Sequence, residues 1–217
     1  MHVRGIKFGP YHSAEWGLIL TDKSISKPTP KTLYVSVPGR DGSIDLSEEL
    51  AGEIKYENRP AAFSFTLGKG NYYYREEVLE EITAKIHGRK IPVILDDDPY
   101  HYLYARCTVT DSTNNKAFAT IKIECNCEPW RYAINETVRT VTVDNSTVNL
   151  ICTNMGIRTA IPEAEVTGNI IISSNGKTMS LTNGKHKLSD LKLKSGTTVV
   201  TVEGTGTLTL IYREGVL

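Results

Sequence analysis

Alternating apolar and polar positions predict β-strands along most of the chain. One alternating segment covers residues 119–128 and another covers residues 100–109. Because successive strand side chains point to opposite faces, each segment has one apolar and one polar face. The apolar faces comprise Ile121, Ile123, Cys125 and Cys127 in the first segment and Leu103, Ala105, Cys107 and Val109 in the second. The polar stretch at residues 111–116 separates them, which predicts an antiparallel hairpin.

A single segment has helical periodicity. In residues 72–87 the apolar positions recur every three or four residues, namely Tyr74, Val78, Leu79, Ile82 and Ile86. This spacing places them on one face of an α-helix. Asn71 can cap the first turn, and Gly88 can adopt the positive φ that ends a helix.

The composition changes after Trp130. Residues 137–212 are rich in Thr, Val, Gly and Asn, and no helical period continues there. Eight short strands separated by turn residues such as Asn145 and Gly204 are typical of a β-sandwich. The predicted strands are residues 137–143, 147–152, 164–166, 169–173, 178–182, 188–193, 197–203 and 207–212. The predicted fold class is mainly β, with an α+β domain of one helix at residues 1–135 and a β-sandwich domain at residues 136–217.

Charge narrows the possible partners. Lysine and arginine total 25, as do aspartate and glutamate, so the net charge is zero. A neutral chain is not expected to attract nucleic acid or an acidic membrane surface. No apolar run approaches the roughly 18–20 residues that span a bilayer, and residues 1–5 lack the apolar core of a signal peptide. We therefore expect a chain made and folded in a cytoplasm, without membrane insertion and with reduced cysteines.

Asp96, Asp97 and Asp98 form the most suggestive cluster of candidate chemical groups. Three carboxylates could bind Ca²⁺ or Mg²⁺, and two could act as acid and base in glycoside hydrolysis. The alternate-position ligands and central glycine of an EF-hand loop are absent. A solvated turn between two strands, ended by Pro99, is the favoured interpretation.

The cysteines and histidines do not have metal-ligand spacing. Cys125 and Cys127 are one residue apart, whereas zinc sites commonly use two to four intervening residues. On a strand, this spacing puts both thiols on one apolar face, where free cysteine behaves as a small hydrophobe. We predict four buried thiols, Cys107, Cys125, Cys127 and Cys152, without metal. We also expect no cofactor and no enzymatic activity, because no nucleophile or phosphate-binding motif is present.

Several segments together resemble the distal tail proteins of siphophages, the phage tail-component family. The most specific match is VPGRDGSIDL at residues 37–46, in which Gly39 and Gly42 bracket Arg40 and Asp41. Other matching segments are residues 6–9, 15–18, 56–65, 86–90, 94–106 and 125–132 in the first part, and residues 154–156, 159–163, 193–196 and 212–213 in the second. The second group resembles the family's C-terminal galectin-like sandwich.

The resemblance implies a virion structural protein at the tail tip of a phage or prophage of a Gram-positive host. Its first domain would form a homohexameric ring, with tail tube protein on one face and the tail-associated lysin or spike protein on the other. Receptor-binding proteins could attach to the C-terminal domains. Some relatives carry a carbohydrate-binding insertion, for which this chain has no room. The alternatives are a carbohydrate-binding module with a galectin-like sandwich and a glycosidase that uses Asp96 to Asp98.

Arg40, Asp41, Ile44 and Leu46 are the predicted oligomer interface. A Pro-Gly turn precedes a matched charge pair, after which Ile44 and Leu46 alternate with polar residues. Such a segment has few local apolar partners, so a neighbouring subunit could bury the two aliphatic side chains. The charge pair would fix register more than it adds affinity. An ordinary hairpin folded back on its own sheet remains the alternative.

Overall fold

The computed structural model describes residues 5–49 and 51–217. The prediction that residues 1–5 are not a signal peptide concerns a segment of which residues 1–4 lie outside the described residues. Contacts divide the chain into two compact units between Arg131 and Tyr132, with Leu217 belonging to the first. Among the described residues, no helix is long and apolar enough to cross a membrane.

The first unit is a sheet with one α-helix and a short 3₁₀ helix, Ser13–Trp16. Its strands are β1 (Ile6–Phe8), β2 (Tyr11–His12), β3 (Ile19–Ile25), β4 (Tyr34–Ser36), β5 (Ser43–Asp45), β6 (Arg59–Leu67), β7 (Lys90–Leu95), β8 (Asp98–Asn114) and β9 (Ala119–Ala133), the last of which crosses the unit boundary. The sheet order is β2-β1-β7-β8-β9-β6-β3, while β4 and β5 form a separate two-stranded sheet.

Alternation builds the core of this unit. On β6 the buried side chains are Arg59, Ala61, Phe63, Phe65 and Leu67, and on β9 they are Ala119, Ile121, Ile123, Cys125 and Cys127. Residues directly opposite in this antiparallel pair, such as Phe63 and Ile123, share a face. The predicted hairpin of β8 and β9 is confirmed, but β8 continues to Asn114, so the connection is shorter than the polar stretch suggested.

Helix α1 (Tyr72–Ile86) packs its apolar face into the same core. The predicted caps are confirmed, since the Asn71 side chain accepts a hydrogen bond from the Tyr74 amide at 3.0 Å and Gly88 has φ 75°. One position differs from the prediction. Tyr74 is exposed, and the neighbouring Arg75 is buried instead.

The second unit has fewer and longer strands than the predicted eight. They are β10 (Thr137–Asn154), β11 (Glu163–Ser174), β12 (Lys177–Leu181), β13 (Gly184–Lys187), β14 (Gly196–Tyr212) and β15 (Gly215–Val216). Three pairs of predicted strands are single strands here, and residues 188–193 contribute only an isolated bridge at Leu193. The sheet order is β10-β14-β11-β12, with β13 also pairing with β11. The mainly β fold class is confirmed.

Two of the predicted turn signals in the second unit, Asn145 and Gly204, lie within long strands, whereas Asn175 and Gly176 form the predicted turn between β11 and β12. At Asn145, with φ 51°, the register of β10 against β14 shifts by one residue. The extra residue of this bulge shifts the alternation of side chains along β10 by one position. Val143 before the bulge and Cys152 after it therefore both lie in the same buried core. Gly206 opposes Gly168 at a close backbone approach, where a Cβ on Gly206 would lie 1.9 Å from the Thr167 carbonyl oxygen. Glycine is therefore required where these two paired strands approach each other so closely.

Candidate functional site

The connection between β3 and β6 forms a protruding arm, defined here as residues 27–58. Its base continues the antiparallel pairing of those strands. The Ser26 amide donates to the Pro60 carbonyl at 3.1 Å, and the Glu57 amide donates to the Thr29 carbonyl at 2.8 Å. Pro30 and Tyr56 form an isolated bridge. The arm therefore leaves the sheet as a two-stranded ribbon.

Beyond its base, the arm becomes the β4–β5 hairpin. Val35 pairs with Ile44, and the Leu46 amide donates to the Leu33 carbonyl at 2.8 Å. Gly39 and Gly42 have φ 83° and 73°, so the two glycines take the left-handed conformations that close the tip. The Asp45 carboxylate accepts hydrogen bonds from Ser47, which hold its pKa below the ordinary value.

The arm contributes almost nothing to the core of its unit. Every residue from 31 to 40 is exposed, and no described residue from 29 to 58 is buried. Four large apolar side chains on and beside β4 are at least 40% exposed: Leu33 (47%), Tyr34 (61%), Val35 (40%) and Val37 (40%). A two-stranded hairpin with so little burial is at best marginally stable in water, so this surface is suited to a partner.

The four predicted interface residues all lie on this hairpin. Arg40 and Asp41 are exposed at its tip, while Ile44 and Leu46 are half-buried along β5 and just after it. Among the described residues, β4 and β5 pair with each other and with no strand of the main sheet. The role of Arg40, Asp41, Ile44 and Leu46 as an oligomer interface remains a prediction.

Sequence reasoning missed the apolar residues on the other strand of the hairpin. Leu33, Tyr34, Val35 and Val37 are more exposed than Ile44 and Leu46. Their signal was an apolar run immediately before the Pro-Gly turn, which could have been paired across that turn with residues 43–46.

The aspartate cluster forms a turn, as predicted, and each carboxylate has a different structural partner. Asp96 accepts from the Gly5 amide at 2.6 Å, Asp97 pairs with Lys23, and Asp98 accepts from Arg131 at 2.9 Å. Asp96 and Asp97 form the turn itself, and Asp98 begins β8. The three side chains are thus used separately. Among the described residues, no group of three or more His, Cys, Asp or Glu side chains is arranged to hold a metal ion.

The predicted burial of the four cysteines is confirmed, and all four are free. The Sγ atoms of Cys107 and Cys125 lie 3.2 Å apart in the core of the first unit. Burial raises the pKa of Cys127 to about 12, and the Cys107 contact together with burial raises the pKa of Cys125. Neutral, buried thiols are poor nucleophiles, so this cluster is part of the core.

The second unit gives little support to the carbohydrate-binding alternative. Sugar sites commonly use exposed aromatic side chains as stacking surfaces. Within residues 136–217 the aromatic side chain is Tyr212, which is 3% exposed and donates from its hydroxyl to the Thr153 carbonyl at 2.7 Å. An aromatic sugar platform is therefore not available on this sheet.

Comparison with known proteins identifies the class of fold. No family model matches the chain, and no curated protein matches it in sequence. Over essentially its whole length, however, the chain has the fold of a phage tail hub protein. The solved structure is that of SPP1 Dit (gp 19.1), described as a paradigm of the hub adsorption apparatus in phages that infect Gram-positive bacteria. It matches with a TM-score of 0.70 and 13% sequence identity, covering 99% of this chain and 100% of that one.

Proposed function

We propose that this chain is the distal tail protein of a phage or prophage with a Gram-positive host, and that it forms a hexameric hub ring. The ring would join the tail tube to the adsorption apparatus at the virion tail tip. The observation that carries the proposal is the full-length fold match to a hub protein, together with an arm in which no described residue beyond the base is buried.

The arm supplies a physical means of assembly. Its apolar side chains gain stability only when another surface removes them from water, and its strands bury too little to be stable alone. An arm that docks on the next subunit makes a head-to-tail contact, and such contacts close into rings when the rotation permits. Arg40 and Asp41 at the tip would set the register of that contact.

The proposed partners are other tail components. Tail tube protein would bind one face of the ring, and the tail-associated lysin or spike protein the other. Receptor-binding proteins could attach to the second unit, where Met155, Ile157 and Ile161 are exposed at 80%, 55% and 42%. The ring would act structurally, without catalysis, cofactor or sequence-specific binding of nucleic acid. The chain would be made and assembled in the host cytoplasm.

Light scattering across protein concentration tests the arm. We expect a mass six times that of the chain for the wild type and a monomer for Val35→Asp, because a charge would be buried at the contact. Ile161→Asp is the matched control, since Ile161 has nearly the same exposure as Val35, 42% against 40%, but lies outside the arm. We also expect Arg40→Glu and Ile44→Asp to weaken assembly.

Circular dichroism would establish that each variant keeps its fold. If Val35→Asp, Arg40→Glu and Ile44→Asp all retain the wild-type mass, the arm is not the interface. A wild type that stays monomeric at high concentration, alone and with its tail partners, would contradict the ring itself.

A further inference from the structure

An open pocket of the first unit lies between the 3₁₀ helix Ser13–Trp16 and helix α1. It has a volume of about 270 Å³. Its walls carry three aromatic rings and three carboxylates, which belong to Tyr11, Trp16, Tyr74, Glu15, Glu77 and Glu81. Both Glu15 and Glu77 are exposed. A side chain of another molecule can therefore reach this pocket, which we call the Trp16 pocket.

The Trp16 pocket already holds one cation of its own chain, Lys85. The Lys85 ammonium lies 4.7 Å from the centre of the Tyr11 ring and forms an ion pair with Glu81. The Glu81 carboxylate also accepts a hydrogen bond from Trp16 Nε1 at 3.2 Å. The hydrogen bond to Glu81 raises the pKa of Lys85 most, and the charge of Glu15 adds to the increase. Ring faces and carboxylates together stabilise positive charge here.

One lysine does not neutralise the three carboxylates of the pocket. Among the described residues, no hydrogen bond or ion pair engages the side chains of Glu15 and Glu77. Glu77 and Glu81 also lie four residues apart on one face of α1, where like charges repel each other. A second cation in the pocket would relieve this repulsion, and a planar one could also lie against an aromatic ring.

The Trp16 pocket and the arm lie at opposite ends of β3. Trp16 comes just before the start of this seven-residue strand at Ile19, and the arm begins just after its end at Ile25. Such a strand is about 20 Å long, and the two-stranded ribbon of the arm continues beyond it. A contact between the arm tip and the pocket is therefore expected between two copies. It would use a different surface on each copy, as a head-to-tail contact does.

Arg40 is the cation at the tip of the arm. It is exposed in a tip closed by Gly39 and Gly42, and among the described residues no hydrogen bond or ion pair engages its side chain. A guanidinium is planar, pairs with carboxylates and stacks on aromatic faces. We propose that Arg40 of one copy enters the Trp16 pocket of the next copy, where Glu15 and Glu77 neutralise it. This occupant rests on the proposed ring.

Charge reversal across the contact tests the proposal, with light scattering over a series of protein concentrations. Arg40→Glu and Glu77→Lys should each raise the concentration of half-assembly at least about tenfold, because each places like charges together. The double variant R40E/E77K should return to within about threefold of wild type. Glu80→Lys is the matched control, because Glu80 is exposed on α1 outside the pocket. It should change half-assembly by no more than about twofold.

A second double variant separates a specific contact from an effect of net charge. R40E/E80K has the same net charge as R40E/E77K but should assemble as poorly as Arg40→Glu alone. If both double variants are rescued equally, or neither is rescued, the proposal is overturned, while loss of assembly in Val35→Asp would still support the ring. A wild type that is monomeric at every concentration, alone and with its tail partners, would overturn both. Circular dichroism checks each fold, and Glu15→Lys replaces Glu77→Lys should that variant unfold.

Discussion

The arm and the sheet to which it is attached are built from similar residue types but are stabilised differently. On β6, Ala61, Phe63, Phe65 and Leu67 are all at most 4% exposed. On the arm, Leu33, Tyr34, Val35 and Val37 are 40–61% exposed. Both segments are rich in apolar side chains. Those of β6 pack in one core with helix α1 and the neighbouring strands, whereas those of the arm are exposed to solvent. The first segment is therefore stabilised within the chain, whereas we propose that another molecule stabilises the second.

The largest expected effect is in the core. Phe63 is fully buried and packs edge-on against Phe8, with ring centroids 6.0 Å apart. Phe63→Ala should lower the free energy of unfolding by about 3–5 kcal/mol, because it removes a buried ring and leaves a cavity. Urea unfolding followed by circular dichroism measures this. A loss below about 1 kcal/mol would mean that the face is less closely packed than described.

Alkaline pH should also act on the core and not on the arm. The pKa of Cys127 is raised from 9.0 to about 12 by burial. Below pH 9 the thiol is neutral in both states. As the pH rises from about 9 toward 12, only the unfolded chain loses the proton, so stability falls by about 1.4 kcal/mol per pH unit for this group.

Stability of wild type and Cys127→Ala, measured in urea from pH 8 to 11, tests that contribution. Cys127→Ala should have a lower starting stability but a shallower decline, since other titrating groups are common to both proteins. Parallel declines would show that Cys127 ionises as readily in the folded chain as in the unfolded one.

The smallest effect on the monomer is expected in the arm. Val35→Ala at a concentration where the chain is monomeric should change the free energy of unfolding by no more than about 0.5 kcal/mol, as for other surface positions. At a concentration where wild type assembles, the same substitution should weaken assembly. A monomer destabilised by 2 kcal/mol or more would place Val35 in a core, and the contrast with Phe63 would fail.

The spacing of apolar residues predicted the elements that are formed by residues close together in the sequence. The β8–β9 hairpin and helix α1 were found because their apolar positions repeat at the periods of a strand and a helix. The long strands of the second unit were split at Asn145 and Gly204, since bulges and turns use the same residues. Only the pairing with the neighbouring strand shows whether such a residue forms a bulge within a strand or a turn between two strands.

Long-range pairing also explains what the sequence left undecided at the candidate site. Arg40, Asp41, Ile44 and Leu46 were recognised from a turn motif, but the exposure of Leu33 and Tyr34 depends on the absence of covering residues elsewhere in the unit. Likewise, a charged residue in a strand is expected to be exposed. That Arg59 is buried therefore follows only from the strand register, which places it opposite Cys127 on the buried face of β6.

Hydrogen exchange followed by mass spectrometry, on one preparation at two protein concentrations, tests the central claim most directly. The claim is that a neighbouring copy covers the arm. We predict that peptides covering residues 31–46 exchange rapidly in the dilute monomer and become protected in the concentrated sample, whose intact mass is a multiple of the chain's. Peptides from β6 and β9 should be protected in both. Equal, rapid exchange of residues 31–46 at both concentrations, in a sample shown to be assembled, would contradict the claim.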